Sequence, residues 1–189
     1  MAHDVSLPEV LGLIYLVSEV AVRFARRSAR GAKAADAGSL ALLWVAIGLG
    51  IGLGSTATNL IQQAAFPLSR IGREAVMAVF ASGLALRWWS ILALGSFFTV
   101  DVAIAADHRL IRRGPYHLMR HPSYTGMMLA FVALALAFQN WIALAGVLLP
   151  IAAALAYRIR IEEAALLGAF GDEYRQYARS TRRLVPGVF

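Results

Sequence analysis

The chain has 189 residues, room for a single domain. Apolar side chains make up 59% and charged ones only 15%, against about 45–50% and about 25% in soluble domains. These figures exclude a soluble globule, a disordered chain, a collagen and a coiled coil, and the lack of cysteine excludes disulfides, thiol catalysis and Fe–S clusters. The net charge of +7 comes from 17 Arg and one Lys, Lys33, against 11 acidic residues. In so apolar a chain such residues mark the cytoplasmic side of a membrane rather than a nucleic-acid surface, so no nucleic-acid partner is expected.

About 20 apolar residues cross a bilayer as a helix, and five segments approach that pattern. They are Leu7–Phe24, Leu40–Leu60, Ala75–Phe98, Tyr124–Phe138 and Trp141–Tyr157. The predicted fold is an all-α membrane bundle of five helices. The last two segments form a hairpin across Gln139-Asn140, and Pro150 is expected to kink the last. The first segment is not read as a secretory signal, because Asp4 and Glu9 stand where basic residues belong.

The basic residues then set the orientation. Arg23, Arg26, Arg27, Arg30 and Lys33 follow the first segment. Arg109, Arg112, Arg113 and Arg120 follow the third, and Arg158, Arg160, Arg175, Arg179, Arg182 and Arg183 follow the fifth. With five spans these three groups share one face, which is then cytoplasmic, leaving the N-terminus outside. Val100–His121 is long for a connector and hints at function.

Several motifs carry more than one meaning. Gly48/Gly52 and Gly50/Gly54 have the small-xxx-small spacing of close helix packing. Glu19 lies one turn before Arg23, which suggests a pair between them. Arg87 interrupts an apolar run beside Trp88 and Trp89. It reads either as a functional intramembrane charge or as part of an interfacial belt. His117 and His121 are four apart, but Pro115 and Pro122 bracket them and no further ligands follow at useful spacing, so no metal site is expected. Arg158 and Glu162 share a helix face, as an i,i+4 salt bridge or as part of a site.

The densest chemistry is Gly114-Pro115-Tyr116, then Arg120-His121-Pro122-Ser123-Tyr124-Thr125-Gly126. The helical hairpin follows, then Glu162-Glu163 and Phe170-Gly171-Asp172-Glu173-Tyr174. In these residues the chain resembles the isoprenylcysteine carboxyl methyltransferase family of membrane-embedded S-adenosylmethionine enzymes, over roughly His108 to Pro186. The resemblance implies one membrane-embedded methyltransferase domain over 1–189. Residues 1–99 form its three-helix part and 100–189 its cofactor-binding and catalytic part. It implies that His108, Arg109, Leu110, Ile111, Tyr116, His121, Pro122, Ser123 and Tyr124 line a cofactor pocket. Glu162 is implied to contact the cofactor and Arg158 to face the methyl acceptor. Where members of the family often carry a longer acidic run before the first glutamate, Arg160 and Ile161 stand here.

The expected cofactor is S-adenosylmethionine, leaving as S-adenosylhomocysteine. Glu162 suits its ammonium, while His121, Arg120 and the helix start after Pro122 suit its carboxylate. Tyr116, Tyr124 and Pro122 suit its adenine. The expected reaction is O-methylation of a prenylcysteine-like carboxylate on a lipophilic small molecule or lipidated protein, with membrane lipid as the other partner. A carboxylate needs no general base, and Arg158 can orient it through a fork of hydrogen bonds. Phospholipid N-methylation, thiol S-methylation and a non-catalytic membrane protein keeping the same fold are the alternatives. The excess of Arg over Lys suggests a bacterial source, and with it the inner membrane, with the site cytoplasmic.

Overall fold

The computed structural model describes residues 6–25, 33–34, 38–98, 103–104 and 109–185. His108, Arg26, Arg27, Arg30 and Pro186 lie outside them. Five long helices follow in order: α1 (Leu7–Ala25), α2 (Ser39–Leu60), α3 (Arg70–Leu94), α4 (Pro122–Ala137) and α5 (Trp141–Phe170). A short α6 (Asp172–Ser180) comes last. Two-residue strands β1 (Lys33–Ala34) and β2 (Ala103–Ile104) pair antiparallel between the α1–α2 and α3–α4 connections.

The helix limits have local causes. α3 starts five residues before the expected Ala75, because Ser69 caps it, its Oγ accepting from Gly72 N at 3.0 Å. α4 starts at Pro122, whose missing N–H costs nothing in a first turn. Gln139 takes a positive φ of 51° and Asn140 caps α5, its Oδ1 accepting from Ile142 N and Ala143 N, so the hairpin turn is tight, as expected. Nδ2 of Asn140 donates back to Ile61 O at 2.8 Å and ties that turn to the end of α2. α5 does not stop near Tyr157 but runs on to Phe170, without interruption at Pro150. At about 1.5 Å per residue it is about 45 Å long, against about 30 Å of hydrocarbon. Its last turns, beyond Arg158 and Arg160, therefore project from the apolar layer.

Among the described residues three helices are long and apolar enough to cross a membrane by length and composition: Ser39–Leu60, Arg70–Phe97 (α3 with the 3₁₀ turn that follows) and Trp141–Phe170. α4 has 16 residues and is apolar but shorter. It is the buried centre of the bundle: Phe131, Ala133, Leu134 and Ala135 pack inside, against α1, α3 and α5. Outward, Leu13, Val17, Leu49, Leu92 and Leu149 are exposed, an apolar belt suited to lipid.

Glycines set the closest helix approaches. A Cβ at Gly126 would lie 2.5 Å from Gly83 O, and one at Gly83 would lie 2.7 Å from Gly126 O, so α3 and α4 meet backbone to backbone there. Gly50 and Gly54 press on Val147 of α5 as their spacing predicts, whereas Gly48 and Gly52 face open space. The expected packing thus belongs to one of the two pairs. Connections gather at two ends. Ala65 bridges to Asn140 at one. At the other, the α1–α2 and α3–α4 connections meet through β1 and β2, and the chain after α6 joins them through Met119 and Arg182.

Candidate functional site

At this second end the start of α4 faces the polar end of α5. Arg158, 3% exposed, donates through Nε to Tyr124 OH at 2.9 Å and through Nη1 to Ser39 Oγ at 2.9 Å. Tyr124 OH in turn donates to Glu162 Oε2 at 2.7 Å. The Arg158–Glu162 relation is therefore mediated by a tyrosine from another helix. The His121 ring stacks on Tyr124 with centroids 5.6 Å apart, and its Nδ1 lies 3.9 Å from Glu162 Oε2. Glu162 remains 31% exposed at its side chain, an anion at the edge of the group rather than sealed within it.

Glu163, one residue on, points about 100° around the helix and does a different job. It accepts from Arg120 Nε at 2.9 Å and Arg183 Nε at 3.0 Å, with His121 Nε2 at 3.4 Å. Burial raises its carboxyl pKa, but the bonds from His121, Arg183 and Arg120 outweigh burial and hold it at about 2. Arg120 also donates to the carbonyls of Ala178 and Thr181, which end α6. Nε and Nη1 of Arg120 are thus engaged with Glu163 and with the end of α6.

The segment after α6 forms a strap over the start of α4. Arg120 N donates to Arg182 O at 2.7 Å, His121 N to Arg183 O at 3.0 Å, and Thr125 Oγ1 to Leu184 O at 2.7 Å. Tyr177 OH donates to Tyr116 O at 2.6 Å, fixing the buried 3₁₀ turn at Gly114–His117. The first turn of α4 is largely occupied as well. Pro122 has no N–H, and the amides of Tyr124 and Thr125 donate to His121 O.

The expected site residues therefore fall into three sets. Tyr116, His121, Pro122, Ser123 and Tyr124 are brought to the same end of the bundle as Arg158 and Glu162. Arg109 is exposed and Leu110 and Ile111 are half-buried. No hydrogen bond or ion pair among the described residues joins these three to Tyr124 or Glu162. His108 lies outside the described residues. His117 is exposed, its Nδ1 2.5 Å from Gly114 O, while His121 is buried, so the two histidines share no face.

The structure reassigns the partners of two charged residues that the sequence singles out. Glu19 does not pair with Arg23 within α1. Arg87 reaches it from α3, with Nε to Oε1 at 2.5 Å and Nη2 to Oε2 at 2.6 Å. Arg87 Nη1 also donates to Ser123 Oγ at 2.9 Å. Arg87 is 5% exposed, so it belongs to the interior rather than to an interfacial belt. These residues border a cavity of about 50 Å³, walled on its other side by Leu40, Leu43 and Ile47 of α2, with Tyr15 and Arg158 at its edge. Arg87 is matched by Glu19. The apolar context of Glu19 and Arg87 signalled that each needs a partner, but not which.

Fold and site together define a helical membrane protein with a polar centre at one end of its α4–α5 hairpin. Residues 75–168 match the profile of the isoprenylcysteine carboxyl methyltransferase (ICMT) family. Protein-S-isoprenylcysteine O-methyltransferase B of Arabidopsis thaliana is 30% identical over 130 residues, covering 58% of this chain and 66% of that protein. The uncharacterized protein YpbQ of Bacillus subtilis (strain 168) is 29% identical over 91 residues, 48% of this chain and 54% of its own. The solved structure of the eukaryotic intramembrane Ras methyltransferase ICMT superposes with a TM-score of 0.63 at 21% identity, over 95% of this chain and 64% of that one. Through residues 75–168 the chain belongs to the ICMT family. It spans between about half and two thirds of these relatives' lengths.

Proposed function

We propose that the chain is a methyltransferase that uses S-adenosylmethionine to convert the carboxylate of a lipophilic, prenylcysteine-like acceptor into its methyl ester. The observation that carries this reading is the connected group Ser39–Arg158–Tyr124–Glu162, with His121 stacked on its tyrosine. One of its ends is an exposed-edge carboxylate and the other a buried guanidinium bordering a cavity with an apolar wall. The relatives named protein-S-isoprenylcysteine O-methyltransferase point the same way.

The donor set fits the cofactor. Glu162 offers an acceptor for an ammonium, and the aromatic faces of Tyr116 and Tyr124 offer walls for an adenine. His108, Arg109, Leu110 and Ile111 complete the proposed pocket from the preceding segment. When bound, the cofactor supplies a methyl group on a sulfonium; an acceptor carboxylate oxygen forms the new O–CH₃ bond while the CH₃–S bond breaks and its electron pair returns to sulfur. No proton moves, so no base is required. Arg158 orients the acceptor carboxylate, held in place by Tyr124 and Ser39. Tyr124, bonded to both Arg158 and Glu162, sets the spacing between acceptor and cofactor, which is where alignment is most valuable.

The site faces the cytoplasm in this reading, with five spans, the N-terminus outside and the bacterial inner membrane as location. Residues 1–99 form the scaffold part and 100–189 the catalytic part of one domain. The meeting of the α1–α2, α3–α4 and C-terminal segments at one end supports this arrangement, because these carry most of the basic residues.

The test is radiolabelled methyl transfer by detergent-purified protein into N-acetyl-S-farnesylcysteine, phosphatidylethanolamine and a lipophilic thiol, side by side. Label should appear in the farnesylcysteine as a base-labile ester. Label in the phospholipid or thiol alone would replace the acceptor class. A folded protein that binds no S-adenosylhomocysteine would favour a non-catalytic role.

A further inference from the structure

The proposed cofactor ends in an amino-acid head, an ammonium beside a carboxylate. Glu162 suits the ammonium. The carboxylate needs donors, and most of those expected for it are engaged elsewhere. The amides of Tyr124 and Thr125 donate to His121 O, and those of Arg120 and His121 donate to Arg182 O and Arg183 O. Arg120 also directs Nε to Glu163 and Nη1 to the carbonyls of Ala178 and Thr181. Its Nη2 has no hydrogen-bond partner among the described residues.

α6 supplies a further donor. The chain turns at Gly171, with a φ of 50°, and Arg120 then holds α6 against the Glu162–Glu163 turn of α5. Tyr174 and Tyr177 form the buried face of α6, each 4% exposed, with ring centroids 6.2 Å apart. Tyr177 OH donates to Tyr116 O at 2.6 Å. Tyr174 OH, by contrast, is buried with no hydrogen-bond partner. Such hydroxyls are uncommon in native proteins and destabilising. The charged groups that act on this one are Glu163, Arg120 and Glu162. Both carboxylates have other donors: Glu163 accepts from Arg120 and Arg183, and Glu162 Oε2 accepts from Tyr124. Burial pushes the Tyr174 pKa well above its ordinary 10, so at neutral pH the hydroxyl keeps its proton.

We propose that Tyr174 is a cofactor-binding residue: its hydroxyl donates to the carboxylate of the cofactor's amino-acid head, beside Nη2 of Arg120, while Glu162 holds the ammonium. This rests on the cofactor proposed above. The two charges of the head are then read by different elements, the ammonium by α5 and the carboxylate by α6 with the residue before His121. The C-terminal segment thereby takes a direct part in binding, beyond its packing over the start of α4.

The experiment measures, by calorimetry in detergent, the binding of S-adenosylhomocysteine and of its decarboxylated analogue, which keeps the ammonium, thioether and adenosine. Wild type binds S-adenosylhomocysteine more tightly than the analogue. Tyr174→Phe keeps the ring against Tyr177 and removes only the oxygen. It weakens S-adenosylhomocysteine about tenfold, the scale of one hydrogen bond to a charged group, and changes the affinity for the analogue less than about twofold. The melting temperature without ligand is unchanged or higher, since the lost hydroxyl had no partner. An unchanged affinity for S-adenosylhomocysteine in the variant overturns the proposal. Equal weakening of both ligands overturns it too, since Tyr174 then acts only through the packing of α6. Equal affinities of wild type for the two ligands overturn it with no variant needed. A folded wild type that binds neither ligand overturns the cofactor reading itself, and this proposal with it.

Discussion

Arg87 of α3 grips Glu19 of α1 with two nitrogens and Ser123 of α4 with a third. One guanidinium thus joins three helices and fixes the residue before Tyr124. Glu19 is 10% exposed and Arg87 6% at their side chains, so neither charge has water to fall back on.

Breaking that pair from one side leaves the other charge buried. Glu19→Leu alone should destabilise the protein by about 3–5 kcal/mol, whereas Glu19→Leu with Arg87→Met should recover most of the loss, because no orphan charge remains. Thermal unfolding in detergent measures both. A double variant no more stable than the worse single one would mean that the pair is not an isolated electrostatic unit.

Glu163 makes the strap pH-sensitive. Its carboxyl is held at about 2 in the folded protein against an ordinary 4.5. A depressed pKa contributes stability that is present in full above the ordinary value and is lost as pH falls through the folded one. Hydrogen exchange in the segment around Thr181–Val185 should therefore accelerate as pH drops from 4.5 toward 2, after correction for intrinsic rates. In Glu163→Gln the same segment should exchange faster already at pH 7, and the acid-dependent step should shrink.

Arg158 and Glu162 should separate by function. Arg158→Ala should reduce turnover by at least about 100-fold with little change in S-adenosylhomocysteine binding, whereas Glu162→Ala should weaken that binding by at least tenfold, in line with the cost of losing a charge-assisted bond. Tyr124→Phe, which cuts the link between them, should impair both in part. Calorimetry with S-adenosylhomocysteine and methyl-transfer kinetics resolve the three. Identical profiles for Arg158→Ala and Glu162→Ala would show that the assigned roles are not distinct.

The glycines should respond according to their neighbours. Gly126→Ala drives a Cβ to 2.5 Å from the backbone oxygen of Gly83, and should cost about 1–3 kcal/mol or more as α3 and α4 are forced apart. Gly48 meets nothing within 4 Å, so Gly48→Ala should be neutral or gain up to about 1 kcal/mol in helix propensity. Melting temperatures in detergent compare the two directly.

Composition and local pattern by themselves determined the helices and the tight turn at Gln139-Asn140, because hydrophobic length and caps are properties of neighbouring residues, while the grouping of Tyr124, Arg158 and Glu162 into one site was what the family resemblance implied. The partners were a matter for the tertiary structure. Arg23 is the nearer cation to Glu19 along the chain, yet Arg87, 68 positions away, is the one that reaches it. Gly48 and Gly50 look alike in sequence, but only Gly50 touches α5. Glu162 and Glu163 are adjacent and chemically identical, yet the helical turn between them sends one to Tyr124 and the other to Arg120 and Arg183. A helix fixes how far apart its side chains point, but which helix stands opposite each of them is settled only when the bundle closes.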